Sequence, residues 1–592
     1  MKSTLLRIYS LLTPAKRAAA GILLCLIIVG TLFEVIGIGL LLPIIGLLMQ
    51  DNLGASYPVL QPVLQALGNP DHRSQVEIVM YLLVGVYLIK NLYLAFLEWW
   101  QARFTIGLMI DFSQRLFNLY LRQPYNFHLQ RNSAQLIRNI TSGVGQFISN
   151  AVHQLLILLN ELLVISGVVT LLLLVEPLGS ISVFAVLATT AWLFYHSTRG
   201  RITRWGEIRQ YHDGQRIQHL QQGLGGAKDV KLLGREANFL SLFYEHNAKS
   251  GQMSQFLQIL QKLPRLWLEL LAVVGFAMLV LIMLGQGRDM QTIVPTMGLF
   301  AAAAFRLMPS VARILISVQA LRFGLPVVNN LYDDFHLLVP DPVPETKTDG
   351  ATVVLKNEIS VHDLSYSYPA TTAPAIFDIS LTIGQGKSIG FVGPSGSGKS
   401  TLVDSILGLL IPQLGTVRID GQDIQDNVRQ WQDQIGYVPQ AIYLTDDTLR
   451  RNIAFGLPDH DIDNEAVDSA LRAAQLEEFV DSLPEKLETM VGERGVRLSG
   501  GQRQRIGIAR ALYHDPGVLV LDEATSALDT ATEAGVMRAV RALHGSKTVL
   551  IVAHRLSTVE KCDYLYHLEK GKIVEQGPPS QLIKKINQPP SA

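Results

Sequence analysis

The chain has 592 residues, of which 48% are hydrophobic and only 17% charged. That balance excludes a disordered chain and leans toward a membrane protein with more than one domain. Fifty basic residues offset fifty acidic ones, so no basic excess points to nucleic acid. The two cysteines, Cys25 and Cys562, have neither metal-ligand spacing nor a disulfide framework and are expected to be buried or inert thiols.

The N-terminus is basic (Lys2, Arg7, Lys16, Arg17) and then apolar through residues 18–49. That run is too long for a signal-peptide core and reads as a retained membrane helix. Apolar stretches of spanning length recur near 76–98, 151–175, 178–197, 266–285 and 291–318, which predicts six spans in all. The second-to-third and fourth-to-fifth connections are long and rich in arginine, so the positive-inside rule puts them and both termini in the cytoplasm. Both read as helical extensions of the spans, turning at Gln123-Pro124-Tyr125 and at 223–226. In the outer connection 50–75, Leu60, Val63, Leu64 and Leu67 fall at helical spacing and predict a short amphipathic helix at the membrane surface.

Ionisable groups inside spans are costly and therefore informative. Glu34 lies in the first span. Arg265 opens the fifth, four residues before Glu269, so the two can pair. Arg306 and Arg313 share a face of the sixth, one heptad apart. Three arginines at related depth suit phosphate or pyrophosphate, which guanidinium binds bidentately. The alternative is snorkelling at the inner interface, or pairing with Glu34 or Glu269.

Residues 338–350, LVPDPVPETKTDG, mark a linker between a membrane domain (1–337) and a second domain (351–592). Strands are expected at Ile359–His362, Ile376–Leu381 and Ser388–Val392. Gly393-Pro394-Ser395-Gly396-Ser397-Gly398-Lys399-Ser400 then fits a phosphate loop, with a helix expected from Thr401 to Leu410. Backbone N–H groups of Gly393, Ser395, Gly396, Ser397, Gly398 and Thr401 would cradle ATP phosphates. Lys399 would reach the β- and γ-phosphates, and Ser400 would ligate Mg²⁺. The apolar run Val518–Leu521 ends in Asp522, a second Mg²⁺ ligand, and Glu523, placed to take a proton from the attacking water.

The order of motifs resembles that of ATP-binding-cassette transporters over essentially the whole chain. The resemblance implies a six-helix, all-α membrane domain of the type IV exporter kind. An α/β P-loop nucleotide-binding domain with an antiparallel β subdomain would follow it. It implies that Tyr368 stacks on adenine and that Gln440 senses Mg²⁺ and the membrane domain. Residues 491–495, Val-Gly-Glu-Arg-Gly, match the segment that contacts the intracellular loops. Ser499, Gly500, Gly501 and Gln502 match the signature that binds ATP held by the other subunit. Asp529 matches the loop crossing the dimer interface, and His554 the switch histidine. One membrane half and one cassette imply a partner, and intact motifs favour a homodimer.

Among exporters, the chain resembles the PglK-type lipid-linked oligosaccharide flippases in Phe305–Arg313, in Leu263-Pro264-Arg265 with Glu269, in Glu34 and in the apolar outer loop. That resemblance implies a polyprenyl-pyrophosphate-linked glycan turned from the cytoplasmic to the outer leaflet of a bacterial inner membrane. Arg265, Arg306, Arg313 and Glu34 would then be substrate residues. A general lipid or multidrug exporter would share every ATPase motif. An ATP-gated channel or regulatory membrane subunit would not need Glu523.

Overall fold

The computed structural model describes residues 2–40, 72–175, 177–287, 290–337, 355–369, 371, 373–524, 530–553 and 555–586. The expected surface helix at 60–67, the linker 338–350, Asp529 and His554 lie outside these residues. The chain divides into two compact units. One holds Met1–Gln123 and His128–Val339, and the other Pro124–Phe127 and Pro340–Ala592.

Among the described residues, the first unit is built of helices and the short turns between them. A short helix, α1 (Lys2–Leu11), precedes α2 (Pro14–Gly39) and the long α3 (His72–Leu121); α4 (Tyr125–Gln130), whose residues 125–127 belong to the second unit, follows the turn at Pro124. The next helix starts at Ser133–Arg138, passes through π-helical turns at Asn139–Gly143 and Ile148–Val152, and continues as α5 (His153–Val175). Beyond it come α6 (Pro177–Gly225), the short α7 (Ala227–Leu232), α8 (Glu236–Gly285) and α9 (Met290–Phe335). Pro177 opens α6 at a position where proline costs nothing. Pro264 lies inside α8. Among the described residues, five segments are long and apolar enough to cross a membrane: Pro14–Gly37, Val76–Leu121, Ser133–Leu174, Glu236–Gly285 and Ala303–Phe335.

The arginine-rich connections are mostly helical, with breaks at 122–124, 131–132, 226 and 233–235, because α3, α6 and α8 run far past the length a bilayer core requires. Side chains from α5, α8 and α9 make one core cluster of the unit: Val164, Val168 and Leu172 against Leu279 and Met283, with Phe300, Ala303 and Leu307. Their three- and four-residue spacing puts each set on one helix face. Helix α2 leaves Cys25 exposed, whereas Cys562 is buried and burial pushes its thiol up to about 12.

The second unit contains two sheets. Four antiparallel strands pair in the order β2 (Ile376–Gly384), β1 (Glu358–Tyr366), β4 (Leu414–Ile419), β5 (Gln422–Asp423). Six strands form the other sheet in the order β10 (Lys572–Gly577), β9 (Tyr564–Glu569), β3 (Ser388–Val392), β8 (Thr548–Val552), β7 (Val518–Asp522), β6 (Ile435–Val438). All its pairs are parallel except β9 with β10. Strands β3, β7 and β8 are buried at every residue, as expected of parallel strands covered on both faces. Alternate residues serve two cores. Leu519, Leu521, Val549 and Ile551 face one, and Val518, Val520, Leu550 and Val552 the other. Ligands of such sheets bind beyond the carboxyl ends of the strands, and there β3 releases the phosphate loop, β7 ends at Asp522, and β8 stops two residues before His554.

Candidate functional site

The phosphate loop joins β3 to α10 (Lys399–Ile406), a helix two turns long. Its glycines are required by the backbone. Gly398 has φ +98°, and a Cβ there would meet the Ala375 carbonyl oxygen at 2.7 Å. Gly396 has φ +77° and nothing within 4 Å of a notional Cβ, so the loop is open on that side. The Ser397 hydroxyl is buried and has no hydrogen-bond partner among the described residues. Lys399 donates from Nζ to the carbonyl oxygens of Gly393 (2.9 Å) and Pro394 (3.0 Å). Burial lowers the pKa of its ammonium, while Glu523 and Asp522 raise it. An open glycine turn, an unsatisfied hydroxyl and a tethered ammonium together fit an anionic guest of phosphate chemistry.

Asp522 is buried at the end of β7, and the Tyr437 hydroxyl donates to its Oδ2 at 3.5 Å. Burial and the Asp522 charge hold the Tyr437 phenol protonated. Glu523 turns the chain with φ +49°, and its N–H donates to the Val552 carbonyl of β8 at 3.0 Å. The carboxylate Oε2 accepts from Gln440 Nε2 at 2.7 Å, so residues 83 positions apart in sequence meet at the strand ends. Tyr368 packs edge-on against Tyr366, with centroids 5.1 Å apart, and its hydroxyl lies 3.2 Å from Thr401 Oγ1. That places the aromatic beside the phosphate-loop helix. Exposed Ser400, with Asp522 and Gln440, has the hard oxygen donors suited to Mg²⁺, which would supply charge neutralisation at the phosphate oxygens.

The signature segment forms the start of α11 (Gly500–Leu512). The Ser499 hydroxyl accepts from the Gln502 N–H at 3.2 Å, and Gln502 Oε1 accepts from the Ser499 N–H at 2.8 Å. This reciprocal capping box fixes the helix start and leaves the Ser499 hydroxyl proton free to donate to an anion.

Sequence reasoning missed Asp404. It follows Ser400 by one helical turn on α10, and burial beside Asp522 pushes its carboxyl up to about 6. A carboxyl held above its unfolded value adds stability when protonated and loses that contribution as pH rises to about 6. Asp404→Asn should therefore raise the melting temperature of the full chain more at about pH 7.5 than at about pH 5. Asp420 and Asp563 sit below their ordinary values despite burial, because backbone N–H groups bond them. They oppose this trend in both proteins and cancel in the difference. An equal gain at both pH values would contradict the assignment.

Residues 376–526 match the ABC transporter family, and residues 21–300 match the ABC transporter transmembrane region. An ATP-dependent lipid A-core flippase of Thiobacillus denitrificans is 30% identical over 92% of this chain and 93% of its own. The chain belongs to the ABC transporter family. It is an ATPase coupled to transport, a half-transporter with one membrane domain and one cassette. The lipid A-core flippase of Nitrosococcus oceani is 31% identical over 86% of this chain and 85% of its own. The fold matches a bacterial Atm1-family ABC exporter solved with ATP bound, with a TM-score of 0.79, 23% identity and 96% coverage of each chain.

Two arginines of this transporter's membrane helices are paired with carboxylates. Arg265 donates from Nε to Glu269 Oε1 at 3.1 Å, yet its side chain stays 81% exposed. Arg313 meets Glu161 of α5 at 2.6 Å, the carboxylate buried and the guanidinium half-exposed. Glu161 is the residue that sequence reading overlooked, a single acid in the apolar run 153–175. Glu34 is buried on α2. The backbone of Arg306 belongs to α9, and its side chain lies outside the description. Arg313→Ala should cost about 2 kcal/mol of stability by removing a charged hydrogen bond from a buried carboxylate. Adding Glu161→Gln should restore part of it. Thermal melting of the single and double variants measures this, and an unchanged single variant would make the pair energetically idle.

Proposed function

We propose that two copies of this chain flip a phosphate-bearing glycolipid, specifically a polyprenyl-pyrophosphate-linked oligosaccharide, from the cytoplasmic to the outer leaflet of a bacterial inner membrane. Both termini and the cassettes are cytoplasmic. ATP is held by Tyr368, the phosphate loop and Lys399 of one copy and by Ser499, Gly500, Gly501, Gln502 and Asp529 of the other. Ser400, Gln440 and Asp522 hold Mg²⁺. Glu523 takes the proton of the attacking water, with His554 at the γ-phosphate.

The depth of two arginines supports the cargo reading best. Arg265 lies about 30 Å along α8 from its outer end at Gly285, and Arg313 about 34 Å along α9 from Met290, at about 1.5 Å per residue. A hydrocarbon core is about 30 Å thick, so a bilayer whose outer boundary meets these helix ends would bring both guanidinium groups to the level of inner-leaflet phosphates. Each is bound to a single carboxylate and remains at least partly exposed, and guanidinium offers more donors than one carboxylate takes. The lipid A-core flippases among its relatives favour a second reading, in which the phosphorylated glycolipid is of lipid A type. ATPase measurements in nanodiscs test both. Stimulation by the polyprenyl-pyrophosphate glycan above that by lipid A supports the first reading, and the reverse order the second. Equal response to uncharged amphiphiles would support a general exporter instead.

A further inference from the structure

The arginine-rich extensions of α6 and α8 pack along each other and are joined through α7. One patch of their contact is histidine. His212 Nδ1 lies 2.7 Å from His246 Nδ1, with the ring centroids 4.9 Å apart. His219, two turns further along α6, stacks on His246 with centroids 5.2 Å apart and planes 23° from parallel. All three residues are partly buried, and the His219 Nδ1 is buried with no hydrogen-bond partner among the described residues. Among the described residues no group of three or more His, Cys, Asp or Glu side chains could hold a metal ion, so the ligand to consider is the proton.

Two facing Nδ1 atoms at that distance need one proton between them. In the neutral pair one ring donates its Nδ1–H and the other accepts. A first added proton goes to Nε2 of the donor ring and strengthens the bond, because a charged donor binds a neutral acceptor more tightly. A second leaves two Nδ1–H groups face to face with no acceptor, and two like charges side by side. The surrounding groups do not relieve that repulsion. Burial and the His246 ring, then Lys249, hold His212 below the ordinary histidine value, against Glu245 and Asp213. Asp213 is already engaged by Ser250 at 2.6 Å, by Gln146 at 3.5 Å, and by Arg209 and Arg216 at 3.5 and 3.6 Å. Glu245 is exposed. Tyr211 presents a ring edge-on to His212, and Arg138, from the helix start at Ser133, donates to the Gln210 carbonyl nearby.

We propose that His212, His219 and His246 form a proton-sensitive clasp, which holds α6 against α8 at neutral pH and lets the two helices part when the cluster is charged. Closing the clasp and releasing protons are then one event. A histidine held low in the closed arm binds its proton less readily there than in the open arm. Closure is therefore favoured above the ordinary histidine value of about 6.5 and loses that support as pH falls below it. His219 lies about 9 Å from the end of α6 at about 1.5 Å per residue, so parting the helices there alters the footing of α7.

Pulsed electron–electron double resonance on the full-length protein in nanodiscs tests this. Spin labels go on Leu220→Cys and Leu242→Cys, both exposed positions, the first beside His219 and the second one turn before His246. Cys25→Ser removes the exposed native thiol. One distance is expected at pH 8. A longer second population should appear at pH 5.5, its ratio to the first growing by up to about tenfold per pH unit below about 6.5 for each extra proton taken up. His246→Gln removes the ring that touches both others, and His212→Gln with His219→Gln leaves that ring alone. Glutamine still hydrogen-bonds but takes no proton, so both variants should keep the pH 8 distance at pH 5.5. ATP hydrolysis at pH 8 is their folding control. A wild-type distance that is the same at both pH values would overturn the proposal without reference to any variant. Widening that survives in both variants would overturn it too, by assigning the titration to Asp213 or Glu245.

Discussion

Glu523→Gln is expected to lower steady-state ATP hydrolysis by about 10²–10⁴-fold, the range for loss of a general base. The substitution is nearly isosteric, and the amide oxygen can still accept from Gln440 Nε2, as Oε2 does now at 2.7 Å. The backbone bond from residue 523 to Val552 is untouched. What disappears is the ability to take a proton from water. ATP should then bind without turning over and hold two cassettes together, so size-exclusion chromatography with ATP should show the closed dimer as well as the lost rate. Multiple turnover at the wild-type rate would remove Glu523 from the assigned role.

Lys399→Ala is expected to weaken ATP binding by up to about 100-fold, since a hydrogen bond to a charged group contributes about 1.5–3 kcal/mol. The ammonium is already held over the loop by the Gly393 and Pro394 carbonyls, so little side-chain freedom remains to be lost when phosphate arrives. Burial lowers the pKa of the ammonium, and the Glu523 and Asp522 charges partly offset that by favouring the protonated form. Equilibrium binding of a fluorescent ATP analogue measures the loss. Affinity and hydrolysis equal to wild type would contradict a phosphate-binding role for this lysine.

The cassette was legible because its chemistry is carried by contiguous residues. A glycine-rich turn between a buried strand and a helix specifies its own backbone, and the Val518–Leu521 run specifies a central strand that must end where Asp522 and Glu523 stand. The contacts among motifs were not legible. Gln440 with Glu523 and Tyr437 with Asp522 follow from strand order 3-8-7-6 in the parallel sheet, which no local pattern encodes. Asp404 went unnoticed because the helix after the loop reads as apolar, although its four-residue spacing from Ser400 already puts it on the nucleotide side.

In the membrane unit, length and hydropathy located the helices, and the arginine-rich stretches marked the helical extensions. The Arg265–Glu269 pair was readable from its i, i+4 spacing. The Arg313–Glu161 pair joins residues 152 positions apart on two helices, a meeting that no local spacing encodes.

The proposed activity is movement of a phosphate-bearing glycolipid across the bilayer by this ATPase. It is tested most directly in proteoliposomes holding a fluorescent polyprenyl-pyrophosphate glycan, by measuring ATP-dependent change in its accessibility to an impermeant quencher. Movement is expected with the wild type and is expected to be absent with Glu523→Gln. Robust ATP hydrolysis with no movement of the glycolipid would contradict it.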